Sequence, residues 1–244
     1  MTSNQWNLDE RVAELAAEPG RTWGVRDALL AIASVPASLV LSILLLAALP
    51  DVPTAVAISG ATALLGAAAV LAVRRPARQS GGLERALGLD LPLWSDAGRV
   101  LRWSLLLLLA QSAVIVLARL LVPALRDVPV DNASFLRDQG PYALVLLAVA
   151  AVLVAPVLEE LLFRGVVLRG LMLRTGFWPA AVVSSTCFGA LHATAAGLDG
   201  LPIVLATGVF GLGLCVLTRR TGRLGPAIGV HSLRNALAVA VVAL

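Results

Sequence analysis

Apolar and polar positions in this chain are segregated into long blocks rather than short alternations. Seven apolar blocks cover residues 28–49, 53–73, 100–122, 141–163, 178–197, 201–218 and 225–244. Each is near the ~20 residues that a helix needs to cross a bilayer at ~1.5 Å per residue. Lipid offers no partners to backbone amides, so spanning segments close their own hydrogen bonds as helices. A membrane barrel would instead show short alternating strands, which are absent from the pattern. The pattern predicts an all-α polytopic membrane protein with about seven transmembrane helices. It divides into an N-terminal segment 1–26, spans one to three over 27–140 with an inner loop at 76–99, and a four-span C-terminal part over 141–244. In the loop, "RPARQSGG" breaks the pattern and "LERALGLDL" reads as a short interfacial helix. In span two, Gly60, Ala63 and Gly66 form a small-residue stripe suited to close helix packing.

Composition agrees. Of the 244 residues, 59% are hydrophobic and 14% are charged, against about a quarter charged in soluble domains. The net charge of +4 comes from 19 arginines with no lysine. The arginines cluster in segments between blocks: Arg11, Arg21 and Arg26 before span one, Arg74 to Arg102 around the long loop, Arg164, Arg169 and Arg174 between spans four and five, and Arg219, Arg220 and Arg223 before span seven. That is topology, and nucleic acid is not an expected partner. The positive-inside rule places the N-terminus in the cytoplasm and the C-terminus outside, in a multi-pass protein of the cell membrane. Trp23, Trp94, Trp103 and Trp178 are placed as an inner aromatic belt, with Tyr142 near the outer boundary. The N-terminal "MTSNQWNLDERVAELAAEPG" is too polar and acidic for a signal peptide, and "LDERVAELAAE" reads as a short amphipathic helix. Cys187 and Cys215 lie in apolar runs as reduced core residues.

Ionisable groups inside a bilayer are costly, so those that occur there point to function. Glu159 and Glu160 close span four, His192 lies in span five, and His231, Arg234 and Asn235 lie in span seven. These include both histidines of the chain. The midpoint between 159 and 192 falls at Thr175–Gly176, in "LRTGFW". An antiparallel hairpin turning there puts Glu159 and His192 at one height, ~25 Å from the turn. It would carry Arg164, Arg169 and Arg174 out to water. His231 and Asn235, four apart, share a helix face, but their height is offset from His192 by ~10 Å, which helix tilt must absorb. Adjacent glutamates diverge by about 100°. Glu160 pairs with Arg164 one turn on, which leaves Glu159 for chemistry. Phe188, one turn before His192, packs under the imidazole. Arg234 points away from the His231–Asn235 face and is assigned no chemistry.

Glu159-Glu160-x-x-x-Arg164, Phe188-x-x-x-His192 and His231-x-x-x-Asn235, in that order, resemble the three signature motifs of the CAAX-protease and bacteriocin-processing (CPBP, or Abi) family of intramembrane proteases. The lead-in "RRTGRLGPAIGVHSLRNAL" resembles the last motif beyond its fixed residues. The resemblance covers about 141–244 and implies a four-helix catalytic core there. It implies peptide-bond hydrolysis on a peptide or protein substrate at the cytoplasmic membrane face. Glu159 and His192 would activate water, and His231 and Asn235 would stabilise the oxyanion, with Glu160, Arg164 and Phe188 in support. No cofactor is favoured. Zinc held by Glu159, His192 and His231 remains the rival, since catalytic zinc takes three such ligands plus water. Two non-protease readings stay open: an immunity or scaffold protein that keeps the motifs, and a small transporter relaying protons.

Overall fold

The structure, a computed structural model, describes residues 7–20, 23–48, 54–128, 140–192 and 200–243. Among them every regular element is helical. We label them α1 (Leu8–Ala17), α2 (Val25–Ala48), α3 (Thr54–Gln79), α4 (Leu83–Leu87), α5 (Ala97–Leu121), α6 (Pro141–Thr175), α7 (Phe177–Leu191), α8 (Leu201–Thr221) and α9 (Gly225–Ala243). The seven long helices α2, α3 and α5–α9 follow the seven apolar blocks in order. By length and composition, α6, α8 and the stretch Trp94–Leu121 that contains α5 are able to cross a membrane. The chain is an all-α membrane protein, and its outside is apolar. Leu105, Leu109 and Leu120 on α5 and Leu146 and Leu153 on α6 are each more than half exposed, as lipid-facing side chains are.

Helix α6 organises the bundle. Its first part is exposed apolar surface, whereas every residue from Glu159 to Met172 is buried. Two stretches, Ala150–Val154 and Leu161–Leu168, are wound more loosely, in π-type turns. Gly176, at φ +76°, turns the chain from α6 into α7. A side chain would be strained there, so glycine fits. The hairpin expected about Thr175–Gly176 is present. The α7–α8 seam is tight: a Cβ at Gly189 would lie 2.6 Å from the Val204 carbonyl oxygen and 3.1 Å from the Gly208 nitrogen.

Helix α6 runs on past the apolar block 141–163 to Thr175, as the expected hairpin requires. Several expectations need correction. The hairpin does not carry Arg164 and Arg169 to water; both are fully buried and only Arg174 is exposed. Their charge is answered inside the protein. Arg164 pairs with Glu160, and Arg169 Nη2 donates to the Gly222 carbonyl just past the end of α8 at 3.0 Å, where the helix dipole favours a cation. Span five, expected over 178–197, ends as helix at Leu191; His192 caps it, and residues 193–197 lie outside the described residues. The loop helix α4 is present and packs one face inward: Ala86 and Leu87 are buried, with Leu87 against Gly165 of α6. Trp23 is 2% exposed, with its indole N–H on Ser80, so it cannot serve in a belt. In the span-two stripe, Gly66 alone makes a close approach, to Leu158, while the Gly60 position faces open space. The amphipathic α1 packs inward through Leu8, Val12 and Leu15 and is pinned by Asp9 to Arg219 at 2.8 Å.

Candidate active site

Three helices deliver the polar groups. Glu159 and Glu160 come from the buried part of α6, His192 from the end of α7, and His231 and Asn235 from the first two-thirds of α9. The height offset expected for His231 is taken up at the start of α9. That end is sunk beneath the segment after α4, with Leu224, Gly225, Pro226 and Ala227 all buried. Gly225 N–H donates to Asp90 Oδ1 at 2.7 Å and Leu224 N–H to the Gly88 carbonyl at 2.8 Å. Starting from that depth, α9 reaches the level of Glu159 within two turns.

Glu159 Oε2 lies 3.7 Å from His231 Nε2 and 4.0 Å from His192 Nε2. Both distances are too long for direct hydrogen bonds, and a water lying off the line between the atoms is the kind of group that would bridge them. Oε2 is buried and has no hydrogen-bond partner. The far nitrogen of each ring is occupied. His192 Nδ1 lies 2.9 Å from the Phe188 carbonyl, and His231 Nδ1 lies 2.9 Å from Glu160 Oε1. Nδ1 must donate to both of those acceptors, so each neutral ring turns a lone pair at Nε2 toward the gap. Three acceptors therefore surround one small space, a set suited to a water molecule with hydrogens to give.

The surroundings hold this set rigid. Glu160 Oε1 also receives Arg164 Nη1 at 2.9 Å, and Arg164 Nη2 donates to the Gly211 carbonyl of α8 at 2.9 Å. Glu160 and Arg164 are both 0% exposed. Glu160 thus does more than pair along its own helix: it fixes the ring of His231. Phe188 is the hub, 4.7 Å from the His192 ring, 5.7 Å from the His231 ring and 5.3 Å from Phe163, centroid to centroid, with the Arg164 guanidinium 4.5 Å above its face. Its expected place under His192 is observed.

Asn235 is tied to α6. Its Nδ2 donates to the Ala151 carbonyl at 2.8 Å. That carbonyl lies in the first loosely wound stretch, where Ala155 N–H already reaches back five residues to Ala150. In the same register the donor for Ala151 would be residue 156, which is proline and has no N–H. Asn235 fills the vacancy from the neighbouring helix. Its second amide hydrogen remains for another acceptor.

Three further residues frame this site: Arg234, which the sequence reading noted but assigned no chemistry, and Gln111 and Ser184, which it passed over. Arg234 lies over the Phe210 ring at 5.1 Å and reaches Gln111 Oε1 at 3.3 Å and Asn235 Oδ1 at 3.4 Å. Gln111 Nε2 in turn donates to the Ala206 carbonyl at 3.2 Å, joining α5, α8 and α9. Ser184 Oγ donates to the Phe163 carbonyl at 2.9 Å, closing α7 onto α6. The signal for Gln111 was available: a lone amide in "LLLLLAQSAVIV".

Comparison with known proteins adds an independent line. Residues 141–237 match the family model described as "Type II CAAX prenyl endopeptidase Rce1-like". The C-terminal segment is similar to that family. "Putative membrane peptidase YdiL" of Bacillus subtilis (strain 168) is 32% identical over 97 residues, which are 40% of this chain and 37% of YdiL. The chain therefore matches a little over a third of the length of that relative. No solved structure matches. The matched segment runs from the start of α6 into α9 and contains Glu159, Glu160, Arg164, Phe188, His192, His231 and Asn235, in agreement with the resemblance read from the three motifs.

Proposed function

We propose that the protein is an intramembrane endopeptidase. It would hydrolyse a peptide bond of a membrane-associated substrate, reached from the cytoplasmic side of the cell membrane. The observation that carries this reading is the buried Oε2 of Glu159, without a hydrogen-bond partner and with the Nε2 atoms of two imidazoles at 3.7 and 4.0 Å.

In this mechanism a water in the gap gives one hydrogen to Glu159 Oε2 and directs the other at His192 Nε2. Its oxygen attacks the carbonyl carbon as Glu159 takes the proton, which makes Glu159 the general base. The oxyanion of the tetrahedral intermediate is met by the remaining amide hydrogen of Asn235. His231, its ring held through Nδ1 by Glu160, lines the same space and would add a second donor to the oxyanion whenever its ring carries a hydrogen on Nε2. Collapse breaks the C–N bond, and the proton held at Glu159 passes to the leaving amine. The charge that Arg234 brings beside Asn235 favours the oxyanion throughout.

Zinc is the alternative activator of water. Zinc bonds of ~2.0–2.1 Å in tetrahedral array bring donor atoms to about 3.3–3.5 Å of each other. The Glu159–His231 and Glu159–His192 separations of 3.7 and 4.0 Å are wider. Among the described residues no group of three His, Cys, Asp or Glu side chains is arranged to hold a metal. The residues do not fit the ion as they stand, and no step is routed through it.

The test is cleavage of an internally quenched peptide library by the purified protein in lipid nanodiscs, with products identified by mass spectrometry. Activity in wild type that is absent from Glu159→Gln supports the reading. Equal activity in Glu159→Gln overturns it. Reconstitution after exhaustive chelation separates the two routes to activated water: the glutamate route keeps its rate, and loss restored by zinc refutes it.

A further inference from the structure

At the arginine-rich end of the bundle most cations have an internal answer. Arg75 pairs with Asp27, Arg85 with Glu18, Arg99 with Asp96, Arg219 with Asp9 and Arg223 with Asp90. Arg26, Arg74, Arg78, Arg102 and Arg174 are exposed and have no hydrogen bond or ion pair among the described residues. Arg26 and Arg174 stand apart from the other three by their position. They come from opposite sides of one cavity of about 560 Å³, between the start of α2 and the tip of the α6–α7 hairpin. Its walls are apolar: Trp23 and Val25 on one side, Leu171 and Leu173 on the other. The acid nearest in sequence, Asp27, is spent on the Gly24 N–H at 2.9 Å and on Arg75, so the cavity keeps its positive charge.

The cavity also sits where charged surface gives way to apolar surface. Leu29 and Leu30, a turn further along α2, are 56% and 59% exposed, and Trp178, in the first turn of α7, is 58% exposed. Exposed tryptophan at such a boundary marks the headgroup layer, with acyl chains beyond it. Two guanidinium groups at that level are suited to grip phosphate oxygens in pairs. Basic pockets between helices at this depth are the general setting of anionic-lipid sites.

We propose that this cavity binds the phosphate of an anionic phospholipid between Arg26 and Arg174, with the acyl chains lying along the exposed leucines of α2. The lipid would staple the α6–α7 hairpin to α2 at a distance from the Glu159 gap. The inference does not depend on peptidase activity.

Native mass spectrometry of the detergent-purified full chain tests it, with phosphatidylglycerol, phosphatidylcholine and glycerol 3-phosphate as separate probes. Wild type should retain phosphatidylglycerol over phosphatidylcholine. Arg26→Gln/Arg174→Gln should lower that retention roughly tenfold. Arg74→Gln/Arg78→Gln, which removes two exposed arginines of α3 outside this cavity, should leave it unchanged. All four positions are on the surface, and a thermal melt of each variant confirms folding. Unchanged retention in the first variant overturns the site, and equal loss in the second reduces it to diffuse charge. Arginine-dependent binding of glycerol 3-phosphate without binding of the lipid overturns the choice of ligand.

Discussion

The two parts of α6 obey opposite rules. From Pro141 to Val154 the helix is almost uniformly apolar, yet Leu147 is its single buried residue. From Glu159 to Met172 it carries two glutamates and two arginines, and nothing is exposed. In water the assignment would be reversed. Within a bilayer leucine has no reason to prefer protein over lipid, whereas a charge or a free carbonyl must find a protein partner. Polarity, rather than oiliness, draws the inner part of α6 to the centre.

The contrast can be broken hardest at Glu159. Glu159→Gln keeps the volume and removes the proton acceptor. Peptide cleavage should fall about 10³-fold with the melting temperature unchanged, so a variant that cleaves normally would remove Glu159 from the chemistry. Arg164→Leu comes next. It leaves the buried Glu160 without its guanidinium partner and with only the His231 N–H on Oε1, at a cost of about 3–5 kcal/mol, read as a large drop in thermal stability in detergent. The double change Arg164→Leu/Glu160→Leu should recover much of that loss, because removing both charges removes the unanswered one; no recovery would contradict the pairing.

A milder break lies at the junction of the two parts. Asn235→Ala strips the Ala151 carbonyl of its donor and should cost about 1 kcal/mol. Pro156→Ala restores an N–H to α6. In a double-mutant cycle the loss from Asn235→Ala should shrink when alanine stands at 156, and strict additivity would refute the exchange of donors. The smallest effects belong to the outer part. Leu146→Ala and Leu153→Ala, both at exposed positions, should shift stability by less than about 0.5 kcal/mol. Losses of several kcal/mol there would mean that this face meets protein rather than lipid.

Much of this was legible in the sequence, for physical reasons. The seven blocks are set by the thickness of hydrocarbon. The hairpin follows from one glycine midway between Glu159 and His192. The site residues stand out because they are the rare ionisable groups in apolar runs. What stayed hidden depends on partners remote in sequence. Arg164 and Arg169 look like loop arginines until Glu160 and the carbonyls of Gly211 and Gly222 are seen to receive them. The tie between Asn235 and Ala151 needs a loosened turn and a proline in register, and no periodicity announces that. The depth at which α9 begins is set by Asp90, 135 positions away along the chain.

The glycine-lined contact between α7 and α8 bears on traffic. With the two backbones this close at Gly189 and Gly208, no polypeptide can thread between those rods at that level. Of the two imidazoles, the one at 192 has the more open side chain, at 21% against 3%. A guest would meet that ring first, so bulk added around it should act as a gate on which molecules are admitted.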